Sequence, residues 1–74
     1  TEASKNGGFA SAIKILKLIA DQFPTSANAY DSLGEAYYKN NQYDWALEHY
    51  KKAYELEPEN EGVRSMIELL YKGK

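Results

Sequence analysis

The stretch AYDSLGEAYYKNNQYDWALEHYKKAYELEPEN, residues 29–60, sets a glycine, Gly34, inside a pattern that is otherwise typical of a helix. Its apolar positions recur at the i, i+3, i+4 and i+7 spacing of a helix face, first as Tyr30, Leu33, Gly34 and Tyr37 and then as Tyr43, Ala46, Leu47, Tyr50, Ala53 and Tyr54. Residues 40–42 (Asn-Asn-Gln) favour a turn, and Pro58 ends the second run because its ring cannot continue a helix. The stretch therefore predicts two helices joined by a tight turn.

The whole chain repeats this pattern at an offset of 34 residues. At that shift apolar residues align with apolar ones, acids with acids and proline with proline, as in the pairs Phe9/Tyr43, Ala12/Ala46, Ile19/Ala53, Asp21/Glu55, Pro24/Pro58, Leu33/Ile67 and Tyr37/Tyr71. Such a period is typical of stacked helical repeats. Ser26 and Asn60 precede new apolar runs and are predicted N-caps. We expect four antiparallel helices with short connections, at about Phe9–Gln22, Asn28–Asn40, Tyr43–Leu56 and Gly62–Lys72.

Size and composition indicate one small domain and argue against several functions. With 74 residues and no cysteine, the chain has neither disulfides nor thiolate metal sites to support a small core. A net charge of −2 with interspersed signs leaves no basic patch for nucleic acid, and no apolar run approaches the roughly 20 residues of a membrane span. No signal peptide is visible, and the polar start TEASKNGG is expected to be a flexible lead-in. The compartment stays open between the cytoplasm and bacterial export.

Residues 27–60 resemble a tetratricopeptide repeat. The positions that carry the resemblance are an aromatic residue, a Leu-Gly pair, a tyrosine, two alanines around an aromatic residue and a closing proline, namely Tyr30, Leu33, Gly34, Tyr37, Ala46, Tyr50, Ala53 and Pro58. Tyr30 stands where the family most often has tryptophan. The resemblance implies an all-α, antiparallel helix array with one full repeat at 27–60. The second half of a preceding repeat at 9–26 and a capping helix at 61–74 flank it, after a flexible lead-in at 1–8.

The same resemblance suggests why a glycine stands inside the helix. Where two antiparallel helices cross closely, no room remains for side chains, and we expect Gly34 and Ala46 to face each other at that crossing. Closer packing then offsets the helix-propensity cost of glycine, about 1 kcal/mol relative to alanine. In the capping helix Glu68 takes the place of this glycine.

Tetratricopeptide arrays bind peptides or partner proteins on the concave face formed by the first helix of each repeat, so the chain is expected to be a protein-interaction scaffold. By this resemblance, that face is lined by Asn28, Asp31, Glu35, Tyr38, Ser65 and Leu69. Some members clamp a terminal carboxylate with basic and amide groups, but Asp31 and Glu35 argue against that mode. They favour a basic or mixed ligand. The alternative that these acids form a plain solvated helix face stays open.

The first helix carries apolar residues on more than one face. We expect Phe9, Ala12, Ile13, Leu16 and Ile19 to form its inward stripe. Ile15 and Leu18 lie elsewhere, and together with Phe9 they form a candidate association surface. A second copy of the chain or a larger parent protein could cover it. The chain also resembles the tetratricopeptide tail of some bacterial esterases and β-lactamase-like hydrolases, so a non-catalytic accessory domain is the alternative function, and a purely self-associating module is a third.

Nothing in the sequence indicates catalysis, a metal or a cofactor. Asp31, Ser32 and His49 lack any nucleophile elbow or oxyanion site, and one histidine without cysteine gives no metal cluster. His49 is expected to pack at the edge of its helix. Asp44 and Glu48, four residues apart, are more typical of a solvated face than of an acid–base pair. Trp45 is expected to point outward, either against a long side chain or as an interface anchor.

Overall fold

The computed structural model describes the backbone of residues 2–73 and the side chains of residues 8–73. Its regular elements there are four helices: α1 (Glu2–Gln22), α2 (Ala27–Lys39), α3 (Tyr43–Leu56) and α4 (Glu61–Lys72). The all-α helix array is therefore confirmed, and the bounds of α2, α3 and α4 agree with the predicted ones to within a residue. Helix α1 begins at Glu2 rather than at Phe9. The flexibility of the lead-in at 1–8 stays a prediction.

The turn between α2 and α3 is built by the three polar residues at 40–42. Asn41 has a φ of 64°, in the left-handed region that asparagine tolerates better than most residues. Its side-chain oxygen accepts a hydrogen bond from the Tyr43 hydroxyl at 2.9 Å. The Asn40 amide group donates to the side-chain oxygen of Gln42 at 2.7 Å. These contacts reverse the chain sharply, so that α2 and α3 form a helical hairpin.

The other two connections are alike, and they stand 34 residues apart. Ser26 caps α2 by accepting a hydrogen bond from the Ala29 N–H at 3.3 Å, and Asn60 caps α4 by accepting one from the Val63 N–H at 3.2 Å. Both predicted N-caps are thus confirmed. The backbone closes in the same way before each cap, because Ser26 N–H donates to the Phe23 carbonyl as Asn60 N–H donates to the Glu57 carbonyl. The repeat read from the sequence is therefore also a repeat of structure.

Gly34 allows close packing of α2 on α3, and the side-chain atoms nearest to it belong to Tyr50. A Cβ atom built at Gly34 would lie 2.9 Å from Cγ and Cδ1 of the Tyr50 ring, closer than real Cβ contacts. Its three nearest atoms all belong to that ring. Tyr50 is therefore the nearest neighbour of Gly34 on α3. The expectation that Ala46 also faces Gly34 stays a prediction, and Ala46 itself is completely buried. Tyr50 lies one helical turn after Ala46 on the same face of α3.

The core runs through the helix pairs that are consecutive in sequence. Its centre is the α2–α3 hairpin, where Leu33 and Ala53 are almost completely buried, and Val63 of α4 extends it. Helix α1 contributes Ile13 and Ala20. Ile19, which we expected to face inward, is 40% exposed and Ala20 takes the buried position instead. None of the helices in the described part of the chain has the length and hydropathy needed to cross a membrane.

Candidate functional site

A groove of about 370 Å³ runs between α2 and α4, with α3 at its base. Helix α2 contributes Asp31, Glu35 and Tyr38 to its wall, as predicted for this face. Helix α4 contributes Met66, and Tyr50 reaches the groove from α3. The remaining lining residues are Lys39, Asn60, Gly62 and Val63. Helices α2 and α4 thus form the two walls of one concave surface.

The groove is acidic, and its two carboxylates differ in their surroundings. Glu35 forms an ion pair with Lys39 at 3.1 Å, with both side chains more than half exposed. Asp31 is half-buried and has no ion pair within the described residues. Burial raises the pKa of Asp31 above its usual value, and the nearby charge of Glu35 raises it further. The ionised form of Asp31 is therefore disfavoured in the folded chain, because it is partly desolvated and has no basic partner within the described residues.

Tyr50 links the packing of the hairpin to the groove. Its ring lies against Gly34 and the side chain is only 3% exposed, yet the residue lines the groove. Burial raises the pKa of Tyr50 to about 12, and the charges of Asp31 and Glu35 and the nearby Tyr38 add to the shift. Within the described part of the chain, its hydroxyl forms no hydrogen bond. The sequence pattern identified Tyr50 as a packing residue only.

An aromatic cleft of about 550 Å³ adjoins the groove at Tyr38, which lines both. The cleft lies beside the α2–α3 turn and is closed by the last turn of α4. The Tyr38 and Tyr43 rings meet edge to face with their centroids 5.4 Å apart. Trp45 and Leu69 also line the cleft and are each about half exposed, at 56% and 49%. Trp45 therefore points outward, as expected, and its indole faces a cavity.

Four of the six predicted concave-face residues are brought together. Asp31, Glu35 and Tyr38 line the groove, and Leu69 lines the aromatic cleft. The other two, Asn28 and Ser65, are exposed but line neither cavity. The sequence did not single out the contributions of Tyr43 to the cleft or of Tyr50 and Met66 to the groove. The offset of 34 residues pairs Met66 with Ser32, which was not predicted to lie on the concave face, so the repeat gave no signal for Met66.

His49 is a packing residue at the edge of α3. Its ring is half-buried, and its centroid lies 4.9 Å from that of Tyr37 in a stacked arrangement. Its Nδ1 lies 2.8 Å from the Trp45 carbonyl oxygen, in the preceding turn. Among the described residues, no group of three His, Cys, Asp or Glu side chains is placed to hold a metal ion. Asp44 and Glu48 are both exposed on the surface of α3.

Helix α1 presents an apolar stripe outside the groove. Its exposed large residues include Ile15 (59% exposed), Leu18 (62%) and Ile19 (40%), and Phe23 (58%), directly after the helix, continues their spacing. Ile15 and Leu18 belong to the association surface proposed from the sequence, and Phe9, its third member, is 36% exposed. Ile19 and Phe23 extend that surface. The sequence did not reveal them because several faces of α1 are apolar.

Comparison with known families identifies the central hairpin. Residues 27–60 match the family model described as Tetratricopeptide repeat. This segment, from the first residue of α2 to the cap of α4, is a tetratricopeptide repeat. No curated protein matches the chain.

Proposed function

Starting from the tetratricopeptide repeat at residues 27–60, we propose that this chain is a non-catalytic protein-interaction module. It binds an extended segment of a partner protein along the face that α2 and α4 share. One observation carries the proposal: Tyr38 lines both the groove and the aromatic cleft, so the two cavities adjoin on this face. Together they set the carboxylates of Asp31 and Glu35 on the same face as aromatic and apolar side chains, a combination that suits a peptide ligand.

The exposed side chains of the cleft support this choice of face. Trp45 and Leu69 are half exposed around a concave surface, where an apolar side chain of a partner would remove both from water. Tryptophan and tyrosine are enriched among the residues that dominate binding energy at protein interfaces. In this chain both residue types line the same cleft.

A random-peptide phage library selected against the purified chain tests the proposal. We expect peptides that bind the wild type and lose binding to Leu69→Glu, because a carboxylate in the cleft would have to be desolvated by the ligand. The matched control is Leu18→Glu, the same change at an exposed leucine of α1. Failure to enrich any peptide, or enriched peptides that bind Leu69→Glu as well as the wild type, would contradict the proposal.

A second function, self-association through α1, is favoured by the order of residues along its exposed face. On that face small residues come first and large ones later, as Gly8, Ser11, Ile15 and Leu18 at i, i+3, i+7 and i+10. Two α1 helices packed antiparallel would set the large residues of one against the small residues of the other, which is the arrangement that fills space best. We propose a second copy of this chain as the occupant.

Light scattering coupled to size-exclusion chromatography, over a range of protein concentrations, tests the self-association. We expect a dimer for the wild type and a monomer for Leu18→Glu, with Leu69→Glu remaining dimeric. A wild-type chain that stays monomeric at all concentrations would contradict the second function and leave the peptide-binding proposal standing. The accessory-domain alternative gains no support from the comparisons.

A further inference from the structure

We infer that the part of the groove formed by Asp31, Glu35 and Tyr50 binds a lysine or arginine side chain of the partner, an inference that rests on the proposed function. These three residues are called the acidic subsite below. All three line the same groove, two from α2 and one from α3. The reasons are charge, an unused hydroxyl group and the distance to the aromatic cleft.

The charge of the acidic subsite is only partly balanced. Asp31 has no ion pair within the described residues, while Glu35 is paired with Lys39 on the exposed rim. Exposed pairs of this kind contribute little and exchange readily. An arriving cation can therefore take the place beside Asp31 and compete with Lys39 for Glu35. A ligand carboxylate at the same place would meet two negative charges.

The Tyr50 hydroxyl is the second, independent observation. The side chain is 3% exposed and lines the groove, and its hydroxyl forms no hydrogen bond within the described part of the chain. A phenol hydroxyl can accept from an ammonium or guanidinium N–H and donate to a carboxylate. Although most of Tyr50 is buried, its hydroxyl oxygen is open to the groove, because no solvent-sealed side-chain oxygen or nitrogen of the described residues lacks a partner. A ligand N–H group can therefore reach it directly. Lysine with three N–H donors and arginine with five can serve Asp31, Glu35 and Tyr50 together.

The N-terminus of α4 lines the groove but does not make the groove an anion-binding site. Helix N-termini attract anions through free N–H groups. Here the Asn60 side chain already accepts from the Val63 N–H at 3.2 Å. The nearby carboxylates of Asp31 and Glu35 oppose a further negative charge. The chemistry of the subsite thus favours a cation.

The position of the aromatic cleft adds a spacing rule for the ligand. Along α2, Asp31 and Tyr38 are separated by roughly 10 Å, at about 1.5 Å per helical residue. An extended peptide covers that distance in about three residues, at about 3.3 Å each. We therefore expect a basic residue and an aromatic or large apolar residue about three positions apart in the partner segment.

Three capped peptides that differ at one position test the inference. Their common sequence is Gly-Phe-Ala-Ala-X-Ala-Ala-Phe-Gly, with X as arginine, citrulline or glutamate, so that a phenylalanine reaches the cleft in either chain direction. Citrulline keeps the shape of arginine and removes its charge. Titrations followed by ¹H–¹⁵N correlation spectra of the chain give the affinities and show which backbone amides respond.

We expect the arginine peptide to bind about tenfold more tightly than the citrulline peptide, as hydrogen bonds to charged groups imply, and the glutamate peptide to bind most weakly. The amide chemical-shift changes caused by the arginine peptide should centre on Asp31, Glu35 and the residues around Tyr38. Asp31→Asn should bring the arginine peptide down to the citrulline level, and Tyr50→Phe should weaken it severalfold. Glu55→Gln, the same kind of charge loss at an exposed position of α3 outside the groove, is the matched control and should change nothing.

Equal affinities for arginine and citrulline, no detectable binding of the arginine peptide, or an equal effect of Glu55→Gln and Asp31→Asn would each overturn the inference. The proposed function fails separately, through the library selection. Peptides that enrich in the library and depend on Leu69, but show no preference for a basic residue, would keep the interaction module and refute the acidic subsite.

Discussion

Replacing Gly34 with alanine is the most direct test of how the hairpin packs. The added Cβ would lie 2.9 Å from Cγ and Cδ1 of Tyr50. Cγ is the rigid base of the ring, so the ring or a whole helix must move. Overpacking of this kind typically costs about 1–3 kcal/mol, and we take the upper part of that range because the contact is not with a flexible end.

Alanine also brings a gain, since it is better than glycine inside a helix by about 1 kcal/mol. The net expectation for Gly34→Ala is a loss of about 1–2 kcal/mol in the free energy of unfolding. In a domain of this size that lowers Tm by about 5–15 °C. Thermal and urea unfolding followed by far-ultraviolet circular dichroism measure both quantities.

Two further variants separate the steric contact from helix propensity. Gly62→Ala is the matched control, because a Cβ there meets only the Asn60 side-chain oxygen at 3.4 Å. It should leave stability unchanged or raise it. In a Tyr50→Leu background the ring is gone, so Gly34→Ala should there become neutral or stabilising. A stabilising effect of Gly34→Ala in the wild-type chain would refute the packing described here.

Three other predictions concern titration and capping. Tyr50 has a pKa of about 12 in the folded chain and an ordinary pKa near 10 when unfolded, so the native chain should lose stability as pH rises from about 10 to 12, and Tyr50→Phe should lose less in alkaline urea titrations. The pKa of Asp31 is also raised, so its ionisation costs stability as pH rises through the interval above its unfolded value of 3.8; Asp31→Asn should be more stable than the wild type at pH 7, with the difference shrinking in acid. Asn60→Ala should lower the free energy of unfolding by about 1 kcal/mol through loss of the cap on α4, measured by urea unfolding, whereas Asn28→Ala at an exposed position inside α2 should not.

Much of the fold was predictable because local signals agreed with each other. The turn residues at 40–42, the caps Ser26 and Asn60 and the apolar spacing all indicated the same boundaries. Contacts between residues of different helices were harder to predict, because the spacing of apolar residues identifies the buried face of a helix but not how that face aligns with the next helix. Ala46 and Tyr50 lie on the same face of α3, so the sequence alone could not show that the Tyr50 ring supplies the atoms nearest to Gly34.

The site was predictable in part for the same reason. Asp31, Glu35 and Tyr38 share one face of α2, so their common exposure followed from helical periodicity. The arrival of Tyr50 in the groove depends on the space left by Gly34 in the adjacent helix, which is a property of the packed pair. The buried face of α1 was misjudged at Ile19 because residues 12–20 are apolar nearly all round, and periodicity then gives no single direction.

The packing of each helix mainly against its neighbours in sequence has a consequence for how the chain opens. In such a linear arrangement, unfolding is coupled only between neighbouring helices, because no extensive contact within the described residues joins helices that are distant in sequence. The α2–α3 hairpin, which has the most extensive contact, should keep its amide protons longest in hydrogen exchange, while α1 and α4 detach in separate, lower-energy steps. A partner that bridges α2 and α4 would couple those steps, so ligand binding would be visible as slower exchange in α4.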